Sequence, residues 1–170
     1  LQKELNEDLS IINEKSIVLP LGEVKITKKV NSVLIIFRTN TDVEIWDQNK
    51  KRLFEEPKIE YSLRALNSLI RSVNFSKKKY QNIKFKTIIV DDKSKEENLN
   101  KLKKLIDGSG LDISITPLNH EKYKDTIKQQ KNHQTFSNLA SLLQSFELGK
   151  EYGEDLIFFV EDDYLHFEPM

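Results

Sequence analysis

Four short apolar runs, rich in β-branched and aromatic residues, recur along this 170-residue chain: Val33–Phe37, Phe85–Val90, Leu111–Leu118 and Asp155–Val160. Between them the apolar residues change to helical spacing. Leu63, Leu66, Leu69, Ile70 and Val73 predict a helix from Ile59 to Ser72. Leu99, Leu102, Leu105 and Ile106 predict a second, with Ser94 and Glu97 spaced as a capping box and Gly108-Ser109-Gly110 as its stop. Phe136, Leu139, Ala140, Leu142, Leu143 and Phe146 predict a third, closed near Gly149. Residues 119–133 are polar with little pattern. The order is therefore β-α-β-α-β-loop-α-β. Such alternation predicts an α/β domain, a mainly parallel sheet with helices on both faces. The last run is so densely apolar that it predicts a strand buried on both faces.

Composition narrows the function classes. Hydrophobic residues are 38 % and charged residues 32 %, which suits a globular domain with a real core. The formal net charge of zero argues against nucleic-acid binding through a bulk positive field. Without cysteine there is no disulfide framework, zinc ribbon or thiol nucleophile. No apolar run approaches the roughly 20 residues that span a bilayer, and no signal-peptide pattern is visible. The chain begins with Leu1 rather than Met and reads as a piece of something longer.

Residues 1–30 read as an extension. Leu1, Leu5, Leu9 and Ile12 have helical spacing, and Ile17 to Ile26 is a hairpin or edge strand broken by Pro20 and Gly22. Residues 31–170 form the main domain. Within it, a polar loop from Thr41 to Lys58 is long for a strand-to-helix connection. Trp46 in that loop could stack on a base or pin the loop to the core. Every arginine (Arg38, Arg52, Arg64 and Arg71) lies in one window, and arginine suits bidentate phosphate contacts.

In parallel sheets ligands bind beyond the carboxyl ends of the strands. Here three strand ends are polar: Arg38-Thr39-Asn40, Asp91-Asp92 and Glu161-Asp162-Asp163. Though far apart in sequence, they are predicted to meet on one rim. Three adjacent carboxylates need neutralising charge, which a divalent metal with a phosphorylated ligand supplies. Asp91-Asp92 alone could equally cap a helix. There is no glycine-rich phosphate loop and no dinucleotide fingerprint. His120, His133 and His166 lack zinc-motif spacing and read as surface or packing residues. His166, three residues past Asp163, is close enough in sequence to reach the same metal.

Val33 to Asn40, Ile88-Ile89-Val90-Asp91-Asp92-Lys93-Ser94 and Phe158-Phe159-Val160-Glu161-Asp162-Asp163 resemble the three nucleotide-binding segments of GT-A glycosyltransferases, most of all the family-2 type. The resemblance covers about residues 31–166. It implies a Rossmann-like nucleotide-sugar-binding half in which Phe37, Arg38 and Thr39 line the nucleotide cleft. Asp92, with Asp91 beside it, would meet the base, uracil or a similar edge. Asp162 would approach the ribose or sugar, and Asp163, with Asp162 or His166 as further candidates, would bind Mn²⁺ or Mg²⁺ on the diphosphate. Glu161 stands where the family's D-x-D motif has its first Asp. The long loop and the missing Arg-Asn pair before the last strand also depart from the family pattern.

The implied partner is a nucleotide-sugar such as a UDP-sugar, and the implied acceptor is a glycan, lipid or protein. The implied location is the cytoplasm or the cytoplasmic face of a membrane. No catalytic base is assigned; in inverting members it lies well downstream, beyond Met170 here. The expectation is donor binding with little or no transfer by this segment alone. Two alternatives stay open. One is a receiver-type phospho-acceptor domain, opposed by the strand and helix that precede Asp91-Asp92. The other is a non-catalytic carbohydrate or interaction domain on a degenerate transferase fold.

Overall fold

A computed structural model describes residues 29–43, 54–127 and 133–168. Residues 1–28 of the expected 1–30 extension, Trp46, Arg52, most of the 41–58 loop and the His133 side chain lie outside the described residues. The elements in chain order are β1 (Ser32–Thr39), α1 (Lys58–Lys79), β2 (Lys84–Asp91), α2 (Glu96–Asp107), β3 (Asp112–Pro117), α3 (His120–Tyr123), α4 (His133–Tyr152) and β4 (Leu156–Glu161). The four strands form one parallel sheet in the order β3-β2-β1-β4. The fold is α/β and Rossmann-like, as the alternation predicts.

Side chains alternate across the pleat, so each strand feeds two cores. Ile35, Phe37, Ile89 and Val160 face one way and pack with Leu66, Leu69 and Val73 of α1 and Leu102 of α2. Leu34, Ile36, Ile88 and Val90 face the other way and pack with Tyr123 of α3 and Ala140 of α4. β1 and β2 are central and covered on both sides, which explains their unbroken apolar sequences. In-register pairing runs from Ser32↔Lys84 to Thr39↔Asp91, so the ends of β1 and β2 are level. At the opposite end of the sheet, the Asp155 carboxylate accepts hydrogen bonds from the backbone N–H of Asn31 (2.8 Å) and Ser32 (3.1 Å), pinning the start of β4 to the start of β1.

Several local expectations are corrected. β4 is not buried on both faces. It is an edge strand among the described residues, and Leu156, Ile157, Phe158 and Phe159 remain 37–41 % exposed. A dense apolar run reports composition, whereas burial depends on having neighbours on both edges. α1 extends to Lys79, beyond the apolar stripe, and ends in Lys77, Lys78 and Lys79, cations that complement a helix C-terminus. Ser94 does not cap α2, whose N-cap is Lys95 with no side-chain cap. The Ser94 hydroxyl instead accepts the Thr41 N–H at 3.1 Å. The patternless segment at 119–133 contains α3, capped by the Asn119 side chain. α4 continues through Gly149 to Tyr152.

The glycine that matters at that end is Gly153, whose N–H donates to the Gly149 carbonyl at 2.9 Å. A Cβ at Gly153 would lie 2.5 Å from that carbonyl oxygen and 2.5 Å from Ile157 Cδ1. The chain leaves α4 for β4 through a space only hydrogen can fill. Gly153→Ala is expected to destabilise the fold by about 1–3 kcal/mol, the usual range for overpacking. Urea unfolding followed by circular dichroism checks this; an unchanged midpoint would show that the α4–β4 junction yields freely.

Candidate functional site

The ends of β1, β2 and β4 open into a cleft of about 520 Å³. Arg38, Thr39 and Asn40 enter it from β1, Asp92 and Lys93 from β2, and Glu161, Asp162 and Asp163 from β4. Ser137, Asn138 and Ser141 of α4 form one wall, and Asp42 stands beside Asn40. The three polar strand ends predicted to meet on one rim do so.

Within that cleft the charged groups have different degrees of freedom. Asp162 is only 7 % exposed and bonded on both oxygens. Its Oδ1 takes the Lys58 ammonium at 2.7 Å, and its Oδ2 accepts the Thr39 hydroxyl at 2.7 Å and the Ser62 hydroxyl at 2.6 Å. The first two turns of α1 are thus fastened to the ends of β1 and β4 at one carboxylate. Arg38 pairs with Glu161 and donates to Asn138 Oδ1 at 3.1 Å and Ser141 Oγ at 2.9 Å. Burial pushes its guanidinium below the ordinary value, opposed by the charges of Asp162 and Asp163. Asp163 makes no hydrogen bond or ion pair among the described residues and is exposed.

Asp92 is buried at the opposite wall. Its Oδ1 lies 2.6 Å from His120 Nε2, and its Oδ2 accepts the Asn40 side-chain amide at 3.1 Å. His120 is therefore a partner of a cleft acid rather than a plain surface residue. It also borders a second cavity of about 670 Å³ beside α3 and α4, where Tyr123 donates to Glu147 at 2.5 Å. Burial, and then the Glu147 carboxylate, push the Tyr123 phenol up.

Other expected site residues lie elsewhere. Phe37 is fully buried in the core under α1 and does not line the cleft. Asp91 sits behind the cleft: Oδ2 accepts the Ser94 N–H at 3.1 Å, while Oδ1 is buried without a partner. Burial raises its pKa above the ordinary 3.8, with the charges of Asp92 and Asp42 adding to the rise against the Ser94 hydrogen bonds. His166 is carried away from the rim, because the chain after Asp163 folds back over α1. Its N–H donates to Ser68 Oγ at 3.0 Å and its ring stacks edgewise on Phe158, in the middle of β4. Burial lowers its pKa. It does not join the acids. Among the described residues, no three His, Cys, Asp or Glu side chains converge as metal ligands.

Lys58, Ser62, Lys93 and the polar wall of α4 escape a reading based on motifs. The α4 wall did leave a signal. Ser137, Ser141, Gln144 and Ser145 recur at helical spacing among the apolar residues of α4, and all four are buried. Gln144 uses both ends, accepting the Asn119 N–H at 2.9 Å and donating to the Pro117 carbonyl at 3.0 Å. The stripe thus joins α4 to the ends of β1 and β3.

No protein-family model matches the chain, and no curated protein matches it. Among solved structures, galactosyltransferase LgtC in complex with donor and acceptor sugar analogs is similar at a TM-score of 0.36 and 14 % identity. The likeness covers 76 % of this chain and 37 % of LgtC, so the chain spans little more than a third of that protein's length. At that TM-score the likeness carries no argument. No helix among the described residues is long and apolar enough to cross a membrane.

Two outcomes are expected from this geometry. Asp162→Ala leaves the Lys58 ammonium nearly buried without its carboxylate, at a cost of about 3–5 kcal/mol, and Asp162→Asn costs less. Urea unfolding measures both, and a wild-type midpoint in Asp162→Ala would exclude the cluster as the fastening of α1. Asp91 has the opposite sense. With its folded pKa raised, its stabilising contribution is full below the unfolded value of 3.8 and is lost as pH rises through the folded value. Asp91→Asn should therefore gain stability relative to wild type as pH rises above the unfolded value of 3.8. Parallel pH-dependent curves for the two proteins would contradict this.

Proposed function

We propose that this chain is the nucleotide-sugar-binding part of a glycosyltransferase of the GT-A kind. The observation that supports it most is convergence: polar residues from the carboxyl ends of three parallel strands line one cleft. The residues carrying the sequence resemblance lie at those same strand ends.

The roles follow from which groups remain free. Asp92, held at one oxygen by His120 and at the other by Asn40, has lone pairs left for an N–H of a base. Thr39 and Asp162 make the rigid floor rather than ligand contacts, since each is bonded to the other. Arg38, braced by Glu161 and α4, sets the position of the neighbouring wall. Asp163 is the carboxylate of the triplet left for a metal. A single carboxylate fits Mg²⁺ or Mn²⁺, which commonly take one or two from the protein and complete their shell with phosphate and water. Bound with the donor, that ion would offset charge developing on the leaving diphosphate.

A second reading, a nucleotide-binding domain without transfer activity, is favoured by the engagement of Asp162 with protein partners. Transfer itself would need a base and an acceptor site, neither of which is assigned here. Calorimetry with UDP, GDP, CDP and ADP, with and without Mn²⁺, tests what both readings share. At least one diphosphate should bind in a metal-dependent manner, and Asp163→Ala should weaken it about tenfold or more. If none binds in any condition, the nucleotide-binding proposal is wrong.

A further inference from the structure

We infer that Lys93 is the side chain that takes a phosphate group in this cleft. This rests on the nucleotide-binding reading above. Lys93 lies at the turn between β2 and α2 with φ of +57°, in the left-handed region where a side chain is strained and glycine is not. Strain alone is no site; the surroundings give it meaning. Lys93 lines the cleft and also the second cavity beside α3, so its stem stands on the wall between them.

The cleft is acidic, with Asp42, Asp92, Glu161, Asp162 and Asp163 on its lining. A phosphorylated ligand entering it meets carboxylates and needs positive charge. Arg38 is already engaged by Glu161, Asn138 and Ser141. Lys58 is engaged by Asp162. Asp42 holds Lys95 at 3.4 Å. Lys93 makes no hydrogen bond or ion pair among the described residues. Its neighbour Asp92 is not paired with it and is held instead by His120 and Asn40. An exposed, unpaired ammonium on a long stem can therefore reach a ligand phosphate without breaking a protein contact.

Variants of the 170-residue chain separate this role from a bland one, in which Lys93 only relieves repulsion around Asp92. Binding of UDP, uridine and inorganic pyrophosphate is measured with Mn²⁺ present, together with GDP and guanosine. Lys93→Met keeps the strain and removes the charge. It should weaken the diphosphates about tenfold while changing the nucleosides by less than about twofold, as expected for loss of one charge-assisted hydrogen bond. Lys93→Arg should restore binding. Lys93→Gly should melt at a higher temperature than wild type yet bind as poorly as Lys93→Met, since it relieves the backbone and loses the ammonium.

Equal binding of UDP by Lys93→Met and wild type overturns the inference. So does an equal loss for uridine and UDP, which would place Lys93 on the base. A wild type that binds pyrophosphate through Lys93 but no nucleotide would keep this inference and overturn the nucleotide reading instead.

Discussion

The carboxylate of Asp162 is where the structure is tied together. It lies at the end of a strand that is an edge among the described residues and receives a lysine and a serine from the first two turns of α1 and a threonine from β1. An acid this buried is stable only when its oxygens are satisfied and its charge matched. Those requirements set the height of α1 on the sheet. They also hold the end of β4 level with the end of β1 and leave the next residue, Asp163, outside the cluster. The floor of the cleft is thus a by-product of satisfying one buried charge.

Around that point the cleft is built from divided labour among carboxylates. Asp162 is structural, Glu161 braces Arg38, Asp92 is oriented by His120 and Asn40, and Asp91 lies behind with one oxygen unpartnered. Five acids at two strand ends, Asp163 included, therefore do not act as one cluster. Parallel topology alone brings them to a common rim, and their different neighbours give each a different chemistry. The buried serines and Gln144 of α4 serve the same end from the opposite layer, fixing polar strand ends that no apolar contact could fix.

Much of the architecture could be read from periodicity. β1 and β2 follow their apolar runs closely because they are central strands, where composition and burial coincide. β4 shows where that logic stops: its apolar run is as dense, yet four of its apolar side chains stay more than a third exposed. Ser94 carries the capping-box pattern but bonds the loop after β1, a tertiary partner no local pattern reveals. Phe37 shares the face of Thr39 but lies two residues back from the strand end, buried under α1, so only Arg38 and Thr39 of the three reach the cleft. His166 was near in sequence, but the turn after Asp163 reverses the chain and separates them. The link from Lys58 to Asp162 spans about a hundred residues and joins residue types common on any surface, so only the folded chain discloses it.

The position of β4 at the sheet margin has a dynamic consequence. Its ladder is anchored to β1 alone among the described residues, and of its apolar side chains only Val160 is buried. Segments of that kind open at lower free energy than the core they adjoin. Asp155 clasps the strand at one end and Asp162 at the other, like two rivets on a loose hem. When the second lets go, the acid end of the cleft can come apart while β1, β2 and their helices stay folded. The molecule can therefore lose the geometry of its cleft well before it loses its fold.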